Sequence, residues 1–224
     1  MSALRRIALL GAESTGKSWL AHELTEVLRA RGHPASWVPE TLRDWCEREG
    51  RTPQPHEQLP IAQAQAQAVL AIDTGTVIAD TTPLMTAVYS HHLFGDESLY
   101  PMALAHRRLY DLTLVTGLDI TWKNEWLRDS PETRLPIDAL VRDALGRSGL
   151  DFRVVYGQGL ARLNNALLAL GLDSEDEAVW QARQDAQFDL NRGRTPWLCE
   201  KCSDPDCEHR LFTGLLDKGS DQQP

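Results

Sequence analysis

Short apolar runs alternate with longer stretches of helical periodicity along most of this chain. Arg6-Ile7-Ala8-Leu9-Leu10 ends at Gly11, and Lys17–Arg31 then repeats apolar positions at helical spacing. The pattern predicts further strands at Ser36–Pro39, Thr76–Asp80, Leu112–Thr116 and Phe152–Tyr156. Between them it predicts helices at Thr41–Glu49 and Ile61–Ala71, from Pro83, and at Leu99–Arg108, Pro136–Arg147 and Leu160–Leu170. Arg51–Pro60 carries three prolines and reads as a loop, and the Ala/Gln run after it as a solvated helix face. Strands alternating with helices imply an α/β fold: a five-stranded, mostly parallel sheet with helices on both faces. From Leu172 the pattern changes to a polar helix, Glu175–Leu190, then a cysteine cluster and a tail expected to be disordered. The expected division is therefore 1–171, 172–217 and 218–224.

Composition narrows this picture in a few places. No apolar run approaches the roughly 20 residues that span a bilayer, so no membrane partner is expected. Met1–Leu10 is basic and then apolar, but its apolar part is only Ile7–Leu10; it reads as a first strand rather than a signal peptide, and the cytoplasm is the expected location. A formal net charge of −9 argues against nucleic acid, which usually meets a basic stripe. It does not argue against a small anion, which backbone N–H groups at a helix start can hold.

Gly11-Ala12-Glu13-Ser14-Thr15-Gly16-Lys17-Ser18 fits G-x-x-x-x-G-K-[ST] at every fixed position. The glycines let the backbone curl so that successive N–H groups face phosphate oxygens. Lys17 has the reach and charge for the β- and γ-phosphates, and the Ser18 hydroxyl suits Mg²⁺. A strand before and an amphipathic helix after supply the context, so a P-loop NTPase fold binding ATP with Mg²⁺ is expected. Trp19, next along the helix, joins the expected nucleotide contacts. Asp80 closes the Thr76–Asp80 strand and is the expected second Mg²⁺ ligand, although a strand-terminal Asp also suits a helix cap.

Two segments could carry an acceptor for the transferred phosphoryl group. After the second strand stand Glu40, Arg43, Asp44 and Trp45; Glu40 and Asp44 are four apart and on a helix would face the same way. Either could position or deprotonate an acceptor hydroxyl. After the fourth strand, Trp122–Arg134 is polar and carries Arg128 and Arg134, either of which could close on the phosphates, with Trp122 near the acceptor.

At these residues the chain resembles a known family, the P-loop kinase domain of NadR-type regulators of NAD biosynthesis. The family's loop G-x-E-S-[ST]-G-K-S is matched by Gly11–Ser18, and P-E-x-x-R-[DE]-aromatic by Pro39–Trp45. D-T is matched by Asp80-Thr81, and Y-D-L by Tyr110-Asp111-Leu112. D-[IV]-P-W is matched by Asp119, Ile120 and Trp122, with Thr121 at the proline position, and L-R-D-S-P-x-x-R by Leu127–Arg134. The likeness runs from about Ile7 to Leu170. Two further places depart from it: Thr41 stands where the family has an aromatic residue, and Asn124-Glu125-Trp126 where it has D-D-G. The resemblance implies ATP-dependent phosphorylation of a nucleoside, ribosylnicotinamide being the best single expectation. Because the P-loop lies almost at the start, no DNA-binding or adenylyltransferase segment is expected before it.

Cys199-x-x-Cys202 and Cys207-x-His209 place four soft donors within eleven residues, the make-up of a small structural zinc site. The expectation is a zinc-knuckle-like appendage, with free thiols or a redox pair as the alternatives. Such a tail could also hold a protein partner. The second functional reading is accordingly a regulatory ATPase or nucleotide-gated adaptor with no small-molecule acceptor.

Overall fold

The computed structural model describes residues 5–121 and 131–190. Five strands, β1 (Arg5–Leu10), β2 (Ala35–Val38), β3 (Thr76–Asp80), β4 (Leu112–Thr116) and β5 (Arg153–Val155), form one sheet in the order β2-β3-β1-β4-β5. Every pairing is parallel, so the sheet is parallel throughout rather than mostly so. The helices are α1 (Lys17–Ala30), α2 (Thr41–Glu49), α3 (Pro55–Leu70), α4 (Pro83–Phe94), α5 (Tyr100–Arg107), α6 (Pro131–Arg147), α7 (Gly159–Ala169) and α8 (Glu177–Leu190).

The period of two along β1 sets the layers. Ile7 and Leu9 face α1 and α7, where Leu20, Leu24, Val27, Leu163 and Leu167 are fully buried. Ala8 and Leu10 face the other way, toward α3 and toward α4 and α6, with Val69, Leu84, Ile137 and Leu145 beneath them. Each buried Leu or Ile contributes about 1.5–3 kcal/mol relative to exposure, so the α1 stripe alone fixes that helix against the sheet. Since β1 is central and parallel to its neighbours, the loops after β1, β3 and β4 open at one carboxyl edge, the usual ligand edge of such sheets.

Two helices begin earlier than the pattern predicts, for one reason. The expected loop 51–60 contains the first turn and a half of α3, and α6 starts at Pro131 instead of Pro136. In both, a proline opens the helix, where its missing N–H costs nothing, and a second follows five residues on. The second proline (Pro60 or Pro136) removes one ladder bond. It is exposed, while Ile61, Ala62 and Val69 of α3 and Ile137 and Val141 of α6 are buried. Tertiary burial outweighs the local break. The start of α3 is further secured by a reciprocal cap between Gln54 and Glu57.

α8 packs against α1. The buried carboxylate of Glu23 accepts from Trp180 Nε1 at 3.0 Å, Arg183 Nη1 at 3.1 Å and Gln184 Nε2 at 3.0 Å. Glu175 is tied to Arg31 at 2.6 Å and to the Asn164 side chain. Among the described residues no helix is long and apolar enough to cross a membrane. Cys199, Cys202, Cys207 and His209 lie outside the described residues.

Candidate functional site

The Gly11–Ser18 loop curls between β1 and α1 with left-handed backbone at Ser14 (φ 51) and Gly16 (φ 75) and with φ 147 at Gly11. A side chain at Gly11 would overlap the Thr116 hydroxyl, so the loop closes on β4 only because that position is glycine. Thr15 Oγ1 lies 2.7 Å from the Ala12 carbonyl and 2.6 Å from Thr116 Oγ1, which itself donates to the Leu10 carbonyl at 3.2 Å. Lys17 Nζ donates across the loop to the Ala12 carbonyl at 2.8 Å. The loop is thus a preformed ring of backbone with the positive end of α1 behind it.

Asp80 ends β3 beside this loop, in register with Leu9 of β1. It is 1% exposed, and among the described residues neither carboxylate oxygen has a hydrogen-bond partner. Burial, and then the neighbouring Glu40 carboxylate, push its pKa up to about 6; Ser18, Arg43 and Lys17 pull the other way. An orphaned buried carboxylate next to a serine hydroxyl fits a hard divalent cation whose remaining ligands come from phosphate and water. Thr81, the next residue, is buried with φ 70, a strained value for a β-branched residue costing about 1–3 kcal/mol. Its N–H bonds the Leu9 carbonyl at 3.1 Å and thereby ties the turn after Asp80 to β1.

Glu40 and Asp44 lie in different surroundings. Glu40 is the extended N-cap residue of α2 rather than part of its first turn. It is half-buried and meets Arg43 Nη2 at 3.4 Å, while the same Arg43 nitrogen donates to Ser18 Oγ at 3.1 Å. Asp44 is exposed and lies outside this group. Trp45 is half-buried, with the Arg51 guanidinium 4.9 Å from its ring centre.

Arg134 reaches the loop from the first turn of α6. It is 7% exposed, and Nη1 donates to the Ile120 carbonyl at 3.1 Å, while Nε and Nη2 have no partner among the described residues. Burial lowers its pKa, and the Glu13 and Asp119 carboxylates partly oppose that. Glu13 is half-buried, and among the described residues one of its carboxylate oxygens and the buried Ser14 hydroxyl have no partner. Trp19 packs on the α1–α7 core. Arg128 and Trp122 lie outside the described residues.

Several residues at this edge carry no motif signal. Gln65 of α3 is buried, not solvated. It accepts from the Thr41 N–H at 2.7 Å and donates to the Pro39 carbonyl at 3.3 Å, bracketing the Glu40 backbone. Thr116 and Arg162 are also fully buried. Only the odd placement of a Gln among alanines, or an Arg on an otherwise apolar helix stripe, could have marked them.

Together these features define a P-loop nucleotide-binding α/β protein: a phosphate-cradling turn, a strand-terminal carboxylate beside it and a second carboxylate within reach. A family model described as AAA domain matches residues 6–162, and the chain belongs to that family. Its structure is similar to a NadR protein in complex with NR (21% identity, TM-score 0.64, covering 78% of this chain and 54% of that one). It is similar to a NadR protein in complex with NAD and AMP-PNP (20% identity, TM-score 0.61, covering 78% and 51%). It is also similar to deoxyadenosine kinase from M. mycoides with bound dATP (14% identity, TM-score 0.52, covering 75% and 99%). The resemblance expected from the motifs is therefore present, and at these identities it is a likeness of fold. The chain spans about half the length of the NadR chains it matches. No curated protein matches it.

Proposed function

We propose that this protein is an ATP-dependent kinase that transfers a phosphoryl group to a hydroxyl of a nucleoside-type small molecule, with ribosylnicotinamide as the first acceptor to test. The observation that carries the reading is Glu40. Gln65 holds the backbone of its neighbours Pro39 and Thr41, and Arg43 holds its carboxylate, beside Asp80 and Ser18 at the mouth of the phosphate loop. An oriented carboxylate at that place suits positioning or deprotonating a hydroxyl nucleophile, and dependence of ADP release on an acceptor separates a substrate hydroxyl from water.

In this reading Gly11, Glu13, Ser14, Thr15 and Gly16 line the phosphates through their backbone, and Lys17 balances charge on the β- and γ-phosphates. Ser18 and Asp80 would hold Mg²⁺, which supplies charge neutralisation on the transferring group. Glu40 takes the acceptor hydroxyl's proton or orients it, in preference to the exposed Asp44. Arg134, whose buried Nε and Nη2 lack partners among the described residues, offers two N–H groups to phosphate oxygens. Trp45 and Arg43 border the acceptor. Arg128, Trp122 and zinc at Cys199, Cys202, Cys207 and His209 remain part of the proposal on motif and spacing alone, as do the division near residue 172 and a cytoplasmic location. Metal content of the purified protein tests the zinc.

The function is tested by ADP release with ATP and Mg²⁺ across a nucleoside panel. ADP that forms only with one nucleoside supports the kinase and names its acceptor. ADP that forms at the same rate without any acceptor overturns it in favour of an ATPase.

A further inference from the structure

We propose that Arg162 is a positioning residue for the phosphate loop, acting by fixing the direction of the Gly16 N–H. The inference rests on the reading of Gly11–Ser18 as a phosphate site and names a residue outside every motif that marks it.

Arg162 lies in the first turn of α7 and is completely buried, the largest side chain in the core to be so. Each nitrogen of its guanidinium reaches a different loop. Nη1 donates to the Thr15 carbonyl at 2.5 Å, Nε to the Gly157 carbonyl at 2.7 Å, and Nη2 to Asp119 Oδ1 at 2.7 Å. The other Asp119 oxygen accepts from the Gly157 N–H at 2.6 Å, closing the arrangement. The loops following β1, β4 and β5 therefore converge on one planar fork. Only arginine presents donors in that geometry; a lysine ammonium is a single point and cannot span three acceptors.

The consequence for phosphate binding follows from peptide geometry. The Thr15–Gly16 peptide is planar and trans, so its carbonyl and N–H point in opposite directions. With the carbonyl drawn toward α7, the Gly16 N–H points away from α7 into the loop. Gly16 is the N-cap of α1, where free N–H groups and the helix dipole meet an anion. The Thr15 side chain is pinned separately by Ala12 and Thr116, so Arg162 governs the peptide and not the side chain. Burying the guanidinium is costly, and three of its five N–H groups, one on each nitrogen, have acceptors, of which the Asp119 carboxylate carries the opposite charge.

The test measures MgATP and MgADP affinity by calorimetry, with melting temperature and far-UV circular dichroism, for the native chain, Arg162→Lys, Arg162→Ala and Asp119→Asn. Arg162→Lys is expected to keep its helix content and to lose about tenfold or more in affinity for both nucleotides, the worth of one hydrogen bond to a charged group. Asp119→Asn keeps the bond to Thr15 and is expected to lose less than about threefold. Added guanidinium chloride at about 20 mM should recover part of the binding of Arg162→Ala, where sodium chloride at equal ionic strength does not; a fold defect alone would gain nothing from guanidinium. Should Arg162→Ala fail to fold, Arg162→Lys against Asp119→Asn still decides. Native-like affinity in Arg162→Lys, or an equal loss in Asp119→Asn, overturns the proposal while leaving the phosphate site intact. Absence of nucleotide binding by the native chain overturns the phosphate-site reading, and the proposal with it.

Discussion

The two ends of the candidate site are built differently. At the phosphate end, Thr15, Lys17, Ser18, Asp80 and Thr116 are all buried, and the loop backbone is held by Thr116, Lys17 and Arg162. At the acceptor end, α2 buries no residue at all, Asp44 is exposed, and Trp45 is covered on one side by a surface arginine. Triphosphate recognition needs many N–H groups in fixed directions, so preorganisation there costs stability once and serves any substrate. An acceptor is recognised by fewer groups, and a lightly packed helix can be refitted to a new one without disturbing the core.

The largest effect that would sharpen this contrast is expected at Lys17. Lys17→Ala should lower kcat/KM by about 10²–10³-fold, as the loss of a preorganised charge on the reacting group does, with a drop in melting temperature too small to explain it. Glu40→Gln should lower kcat by about 10²-fold with little change in ATP affinity. Asp44→Asn should stay within about twofold; a larger loss at Asp44 than at Glu40 would reverse the assignment made from α2's geometry.

Asp80 tests the phosphate end through stability. Its folded pKa is raised to about 6, so ionising it costs the fold. The cost is absent below the unfolded value near 4, grows between about pH 4 and 6, and is complete above 6. Asp80→Asn should therefore stabilise the nucleotide-free protein at about pH 8, by an amount of order 1–3 kcal/mol that fades toward pH 4. Stabilisation by MgATP should be lost in the same variant. Thermal melts at both pH values, with and without MgATP, read out both effects; a variant less stable than native at pH 8 would contradict the buried-charge account. The smallest effect is expected at Trp45, where Trp45→Leu should raise the acceptor KM by about three- to tenfold and leave ATP binding unchanged, the worth of one aromatic contact. An equal effect on ATP would mean the two ends are not separable.

Most of the architecture was legible in the chain because it rests on periods of two and near four and on one eight-residue motif. β3, α2 and β4 fall where the pattern puts them, and the phosphate loop sits where a strand, glycines and a helix demand. The starts of α3 and α6 were not legible: local proline chemistry favours a break, and only burial of the following apolar stripe overrides it. Spacing left Glu40 and Asp44 equal; burial and the Arg43 contact, which spacing does not carry, set them apart.

By itself, then, the sequence determined a parallel α/β sheet with a phosphate-binding turn at its carboxyl edge, because these depend on local propensity and on side-chain type at fixed spacing. Only the tertiary structure decided which polar groups meet there. Gln65 bracketing Glu40, Arg162 holding Thr15, and Asp80 beside Ser18 without a partner among the described residues each join residues from elements distant in the chain. What such groups do is set by burial and by the partners that burial supplies, and neither exists until the layers have packed.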